Sequence, residues 1–129
     1  MNRLDYFKSR IEATLSPMDY IQMKKKFPED SVLIDVRNGP VEARKNKIDG
    51  AVVIPQVEIE SRLNEIPKDK KVVVYCWDVW CNTASKVAVK LLENGFEDVQ
   101  ELTGGIAAWE KMNFPQEPLS TEKTTNCSC

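Results

Sequence analysis

Three short segments restrict the fold more than anything else in the chain: Ser31-Val32-Leu33-Ile34-Asp35-Val36, Ala51-Val52-Val53-Ile54 and Lys71-Val72-Val73-Val74-Tyr75. Each is rich in β-branched residues and apolar at successive positions, so as a strand it would present apolar side chains to both faces of a sheet. Such strands are stable only when both faces are covered, and the stretches between them read as helices. The implied architecture is α/β, with a mainly parallel central sheet, helices on both faces and right-handed crossovers. In open parallel sheets of this kind the ligand site lies beyond the carboxyl ends of the strands.

The helical stretches carry their own signals. Leu4, Phe7, Ile11 and Leu15 recur at helical spacing and predict an amphipathic first helix. Ser16-Pro17-Met18-Asp19 reads as the start of a second helix, with a serine cap, proline at the first helical position and an early acidic residue. That helix runs to Lys24-Lys25-Lys26, where cations favour the last turn. Short helices are expected near Val41 to Lys45 and Val57 to Leu63. A longer one, capped by Asn82 or Thr83, carries Ala84, Val87, Ala88, Leu91 and Leu92 to Asn94-Gly95. Asp98 to Leu102 reads as a weaker strand and Ile106 to Met112 as a last helix. From Pro115 the periodicity is lost. The expected organisation is a helical extension over 1–15, one domain over 16–115, and a flexible tail over 116–129 holding Cys127 and Cys129.

Composition narrows the chemistry. With 42% hydrophobic and 29% charged residues the chain suits a globular fold. Its 18 basic and 20 acidic residues leave a net charge of -2, so there is no basic field for nucleic acid or an anionic membrane surface. The opening segment Met1 to Lys8 lacks the apolar core and cleavage site of a secretory leader, and the expectation is a cytoplasmic protein. Histidine is absent, which removes Ser-His and Cys-His catalytic pairs and histidine metal ligands. The four cysteines, spaced C-x4-C and C-x-C, match no common zinc module, and no metal or other cofactor is expected.

Cys76 falls at the end of the third apolar strand, at a loop entrance before a helix. Backbone N–H groups and the helix dipole at such a place favour a thiolate and any anion attached to it. The alternative is a buried structural cysteine. On this position Cys76 is the candidate nucleophile. Cys81, five residues on, either attacks a persulfide or sulfenic acid on Cys76 as a resolving thiol, or merely packs beneath the loop. Trp77 and Trp80 flank Asp78; either they form a partner-facing mouth, or at least one fills the loop.

Four blocks in order resemble the rhodanese family of sulfurtransferases. Leu33-Ile34-Asp35-Val36-Arg37 looks like its D-V-R strand end, and Ile48 to Pro55 like its H-I-P-G-A-x-x-I-P segment. Val73-Val74-Tyr75-Cys76 is similar to the strand leading to its active cysteine. Leu102 to Trp109 resembles its closing L-x-G-G-x-x-x-W. The resemblance spans about Ser16 to Pro115. It implies that Cys76 takes sulfane sulfur from a small donor as a persulfide and passes it to a thiol or cyanide, the partners being small molecules or a partner protein. It further implies that the loop Trp77, Asp78, Val79, Trp80, Cys81 and Asn82 cradles the anion with its N–H groups, and that Asp35 and Arg37 support the site.

The loop departs from the family's common C-x-x-G-x-R-S, with Val79 and Cys81 where glycine and arginine are usual. It contains no cation, and removing an arginine from a desolvated anion site costs about 2–5 kcal/mol. Thiosulfate, a dianion, is therefore expected to be a poor donor. The related phosphatase and arsenate reductase pattern C-x5-R is excluded, because Asn82 stands at the arginine position. The open alternatives are a thiol–disulfide redox protein using Cys76 and Cys81, and an interaction module.

Overall fold

A computed structural model describes residues 1–119. Its centre is a five-stranded, wholly parallel sheet in the order β1-β6-β5-β2-β4. The strands are β1 (Thr14–Leu15), β2 (Ser31–Asp35), β4 (Val52–Val53), β5 (Lys71–Tyr75) and β6 (Val99–Leu102). β2 and β5 pair in register from Ser31↔Lys71 to Asp35↔Tyr75. The helices are α1 (Arg3–Ala13), α2 (Pro17–Lys26), α3 (Val41–Arg44), α4 (Gln56–Ile59), α5 (Thr83–Glu93) and α6 (Gly105–Lys111).

The side-chain alternation of the central strands divides the core into two layers. Ile34, Val36, Val72, Val74 and Cys76 pack with Ala84, Val87 and Leu91 of α5 and with Ile59 of α4. Leu33, Val73 and Tyr75 pack on the opposite face with Tyr20 of α2 and with Ile106 and Trp109 of α6. Both faces are thus covered, as the apolar strands require. Cys76 thereby inherits the face of Val72 and Val74, beneath α5, while Tyr75 points the other way.

Local signals explain the helix ends. Ser16 Oγ accepts the Asp19 N–H at 3.1 Å with Pro17 at the first helical position, as read from the sequence. Lys24 Nζ, in the last turn of α2, donates to the carbonyls of Pro28 and Ser31 at 3.1 and 3.3 Å. Asn82 occupies the position before α5, but its side chain makes no capping bond.

Both ends of the chain correct the expected organisation. α1 stops at Ala13, and Thr14–Leu15 extend into β1, so the segment 1–15 is not wholly an extension: its last residues form an edge strand paired with Glu101 and Leu102. Gln100 Nε2 donates to the Glu12 and Thr14 carbonyls at 2.9 and 3.3 Å and fixes that edge. Leu15 therefore leaves the helical stripe, and no residue of α1 is buried. At the other end, β7 (Gln116–Pro118) pairs antiparallel with β3 (Asn46–Ile48). Leu119 is buried and donates its N–H to the Lys45 carbonyl at 2.8 Å. Residues 116–119 thus do not form the flexible tail expected there. Three-residue ladders held by backbone hydrogen bonds leave no periodic trace in side-chain pattern, which is why β3 and β7 were not foreseen. Cys127 and Cys129 lie outside the described residues.

The remaining differences are small. The Ala51–Ile54 strand narrows to Val52–Val53. The Val57–Leu63 helix resolves into α4 followed by a 3-10 segment over Glu60–Glu65, with Arg62 out of helical geometry. No helix among the described residues is long and apolar enough to cross a membrane.

Candidate active site

The site is assembled at the carboxyl end of β5. Cys76 is the residue after the strand and Thr83 opens α5, so the six residues 77–82 must turn the chain from sheet to helix. Asp78 organises that turn. Its Oδ1 accepts the N–H groups of Trp80 and Cys81 at 3.0 and 3.1 Å, a side-chain mimic of a backbone turn. The expected anion cradle is therefore partly occupied: the N–H groups of Trp80 and Cys81 serve the Asp78 carboxylate.

The loop is held from a second side by α6. Ile106 and Ala107 donate their N–H groups to the carbonyls of Cys76 and Trp77 at 3.0 and 2.9 Å. This close approach is possible because residue 105 is glycine. It sits at φ +58°, and a Cβ there would lie 2.4 Å from the Cys76 carbonyl oxygen.

Beneath the loop lies a buried polar network that supports it. Asp35 and Arg37 are 0% and 1% exposed and form an ion pair at 2.8 Å. Asp35 also accepts the Arg37 backbone N–H at 3.0 Å and the Tyr75 hydroxyl at 2.8 Å. Arg37 Nη2 donates to the Asn46 carbonyl at 2.6 Å, and the Ile48 N–H donates to the Tyr75 oxygen at 3.0 Å. The Arg37 guanidinium lies 4.6 Å from the Trp77 ring centroid, a cation–π contact that anchors the first loop residue. Asp35 and Arg37 thus connect three segments to the loop base by hydrogen bonds.

The two thiols are unlike one another. Cys76 is 2% exposed, and its Sγ–H donates to the Cys81 carbonyl at 3.2 Å. Burial pushes its pKa up to about 12; the neighbouring Cys81 thiol adds to the rise, and the Ala84 and Trp77 N–H groups only partly oppose it. The thiolate expected at Cys76 from the strand-end position is thus not the resting form: desolvation outweighs the amides. Cys81 is only partly buried. Burial pushes its thiol up as well, but hydrogen bonds with Cys76, the Thr83 hydroxyl and the N–H groups of Trp77 and Thr83 together outweigh it, leaving the pKa below its ordinary 9.0. Both cysteines are free thiols.

The aromatic residues separate too. Trp77 lies against Arg37 with about a third of its surface exposed, whereas Trp80 is 87% and Val79 71% exposed. A cleft of about 230 Å³ opens beside the loop among Arg37, Arg44, Trp77, Asp78, Ile106 and Glu110. Arg44 Nε and Nη1 are buried there without a hydrogen-bond partner among the described residues. Among the described residues no group of His, Cys, Asp and Glu is arranged to hold a metal ion.

A family comparison decides the assignment: the rhodanese-like domain family matches residues 17–112. The chain belongs to the rhodanese-like family. A sulfurtransferase of Allochromatium vinosum is 36% identical over 87 residues, which is 67% of this chain and 78% of that relative. The probable adenylyltransferase/sulfurtransferase MoeZ of Mycobacterium tuberculosis is 42% identical over 85 residues, 64% of this chain but 21% of its own length. A crystal structure of a full-length protein from Lactobacillus plantarum superposes with a TM-score of 0.84 at 26% identity, covering 91% of this chain and 97% of that one. These relatives support a sulfurtransferase-type role for this rhodanese-like domain. Several parts of its site were not singled out in the sequence: Tyr75, Gly105 as a contact to the loop, Arg44, and the N–H groups of Thr83 and Ala84. Only Gly105 carried a readable signal, as part of the Gly-Gly motif.

Proposed function

We propose that this rhodanese-like domain is a sulfurtransferase that carries sulfane sulfur as a persulfide on Cys76, moving it from a small donor to a thiol or cyanide acceptor. The observation that carries the reading is the seat of Cys76: it follows a central parallel strand under the start of α5, where the Trp77 and Ala84 N–H groups partly offset the effect of burial on its pKa. A persulfide is more acidic than the parent thiol and places its charge one atom farther out. Amides that cannot ionise a buried thiol are thus better matched to the sulfurated form. No cation lies within the loop, and the Asp78 carboxylate already takes two of its amides. Singly charged persulfides suit it better than the thiosulfate dianion. A small donor and a thiol acceptor are the partners this chemistry needs, and a reducing cytoplasm is the setting in which both thiols persist.

The test is intact mass and fragment mapping of reduced protein after exposure to a small persulfide. The expected result is a gain of one sulfur on Cys76 that cyanide removes as thiocyanate. A second reading, thiol–disulfide redox chemistry, is favoured by one observation: the Cys76 Sγ–H donates to the Cys81 carbonyl at 3.2 Å, which sets the two cysteines side by side. A Cys76–Cys81 disulfide as the sole product would select it. An unmodified Cys76 and Cys81 would refute both and leave an interaction module.

A further inference from the structure

We infer that Cys81 is the thiol that meets the sulfur donor, and that it passes the sulfur inward to Cys76. The inference rests on the sulfurtransferase reading above and assigns an order to its two thiols. Attack on a sulfur–sulfur bond needs an open line of approach along that bond. Cys76, at 2% exposure and packed among Val74, Ala84 and Val87, offers no such line, whereas Cys81, near the end of the loop, is only partly buried. Cys81 also lies two residues before Thr83, which opens an eleven-residue helix. There hydrogen bonding with Cys76, the Thr83 hydroxyl and the Trp77 and Thr83 N–H groups outweighs burial and lowers the Cys81 pKa, whereas burial raises that of Cys76.

The inward step is built into the same geometry. The Cys76 Sγ–H donates to the Cys81 carbonyl at 3.2 Å, which sets the two cysteines against one another. A sulfur moving from one cysteine to the other thus passes between adjoining residues of one site.

The chemistry balances without an outside oxidant or reductant. The Cys81 thiolate attacks the outer sulfur of a low-molecular-weight persulfide R–S–SH. The donor sulfur–sulfur bond breaks, R–S⁻ leaves and takes the released proton as R–SH, and Cys81–S–S⁻ remains. The Cys76 sulfur then attacks that outer sulfur as its proton passes to the departing Cys81 sulfur. The products are Cys81–SH and Cys76–S–S⁻. One sulfur–sulfur bond forms and one breaks at each step.

The experiment follows sulfur with time in the full chain, using glutathione persulfide as the probe, rapid alkylation and fragment-ion mapping. In the unsubstituted protein the sulfur is expected on Cys81 first and on Cys76 later. Cys76→Ser should still load Cys81 and should retain the sulfur there. Cys81→Ser should load Cys76 at least about tenfold more slowly, as a thiol with little thiolate and no access requires. Sulfur appearing first on Cys76, or undiminished loading of Cys76 in Cys81→Ser, would overturn the order while leaving the sulfurtransferase reading intact. A Cys76–Cys81 disulfide with release of hydrosulfide would overturn the inward transfer. Failure of both thiols to load, in the unsubstituted chain as in the variants, would overturn the parent reading itself. The time order in the unsubstituted chain needs no variant, so it decides the matter even where a substitution disturbs folding.

Discussion

Gly105→Ala tests how the loop is held. Gly105 is at φ +58°, where an alanine incurs about 1–2 kcal/mol of left-handed strain. Its Cβ would also lie 2.4 Å from the Cys76 oxygen, 2.8 Å from the Trp77 carbonyl carbon and 2.9 Å from the Cys76 carbonyl carbon. These are backbone atoms of the strand end, and they cannot rotate aside. Relief requires α6 to draw away from the loop, at the expense of the hydrogen bonds from Ile106 to Cys76 and from Ala107 to Trp77. At about 0.5–1.5 kcal/mol for each bond, the total loss comes to roughly 2–5 kcal/mol. Gly50 supplies the control: it sits at φ +85° with nothing within 4 Å of a Cβ, so Gly50→Ala should lose only the strain, about 1–2 kcal/mol. Both substitutions reduce unfolded-chain entropy alike, so that contribution cancels in the comparison. Urea unfolding followed by circular dichroism measures both. Gly105→Ala should be less stable than Gly50→Ala by about 1–3 kcal/mol, and its thiols should load sulfur more slowly. Equal losses in the two variants would show that the approach of α6 to the loop contributes nothing, and the account of how Cys76 is positioned would fail.

Other substitutions test the remaining interactions. Asp35→Asn leaves the fully buried Arg37 without its counter-charge and should destabilise by about 3–5 kcal/mol in urea unfolding; a loss below about 1 kcal/mol would mean that water reaches the pair. Arg44→Met removes two buried guanidinium nitrogens that lack partners among the described residues while keeping the apolar stem, so stability should rise by about 1–2 kcal/mol, and a fall would show that the arginine is paired in solution. Alkaline stability should report Cys76. Its folded pKa, near 12, exceeds the ordinary 9.0, so its contribution is complete below pH 9 and is lost as pH rises from there through 12. Cys81, with a lowered pKa, contributes in the opposite sense, fully above pH 9 and decreasingly below it, so it adds no slope in that window. Between pH 9 and 10 the urea midpoint of Cys76→Ser should therefore fall less than that of the unsubstituted protein; equal slopes would refute the buried neutral thiol. Asp78→Asn keeps an oxygen to accept the Trp80 and Cys81 N–H groups but removes the charge, so thiosulfate turnover should rise several-fold. An unchanged rate in a folded protein would mean that loop charge does not set donor choice.

What was legible in the sequence follows from which interactions leave a periodic or compositional mark. The runs Val32–Val36 and Val72–Tyr75 encode burial on both faces, and from that the parallel sheet follows without further information. Ser16-Pro17 encodes a helix start because the capping chemistry is local, and the Ser16 bond to Asp19 is where it was expected. β1 was hidden because Leu15 also fits the helical stripe of Leu4, Phe7 and Ile11. The backbone leaves the helix at Thr14 to complete the sheet edge, a tertiary gain that local pattern does not register. β3 and β7 were hidden because their pairing is between backbones far apart in sequence. At the site, the position of Cys76 was legible and its environment was not. The strand end and helix start favour a thiolate, but the burial that reverses this at Cys76 comes from α5 packing across the sheet.

The role of Asp78 shows the same separation between residue type and interaction. As a residue in a cation-free loop it reads as a repulsive charge facing an anionic donor. In the folded loop it is also the acceptor that turns the chain, holding the Trp80 and Cys81 amides where a glycine-containing loop would use backbone freedom instead. The missing glycine, the acid at position 78 and the cysteine at position 81 are therefore one arrangement rather than three departures. The acid fixes the turn, and the turn returns Cys81 to the strand end, where its carbonyl accepts the Cys76 Sγ–H at 3.2 Å. A loop built this way gives up two amides to its own carboxylate and sets a second cysteine beside the first. On the proposed sulfurtransferase reading, that exchange disfavours a doubly charged oxyanion donor and favours sulfur handed from thiol to thiol.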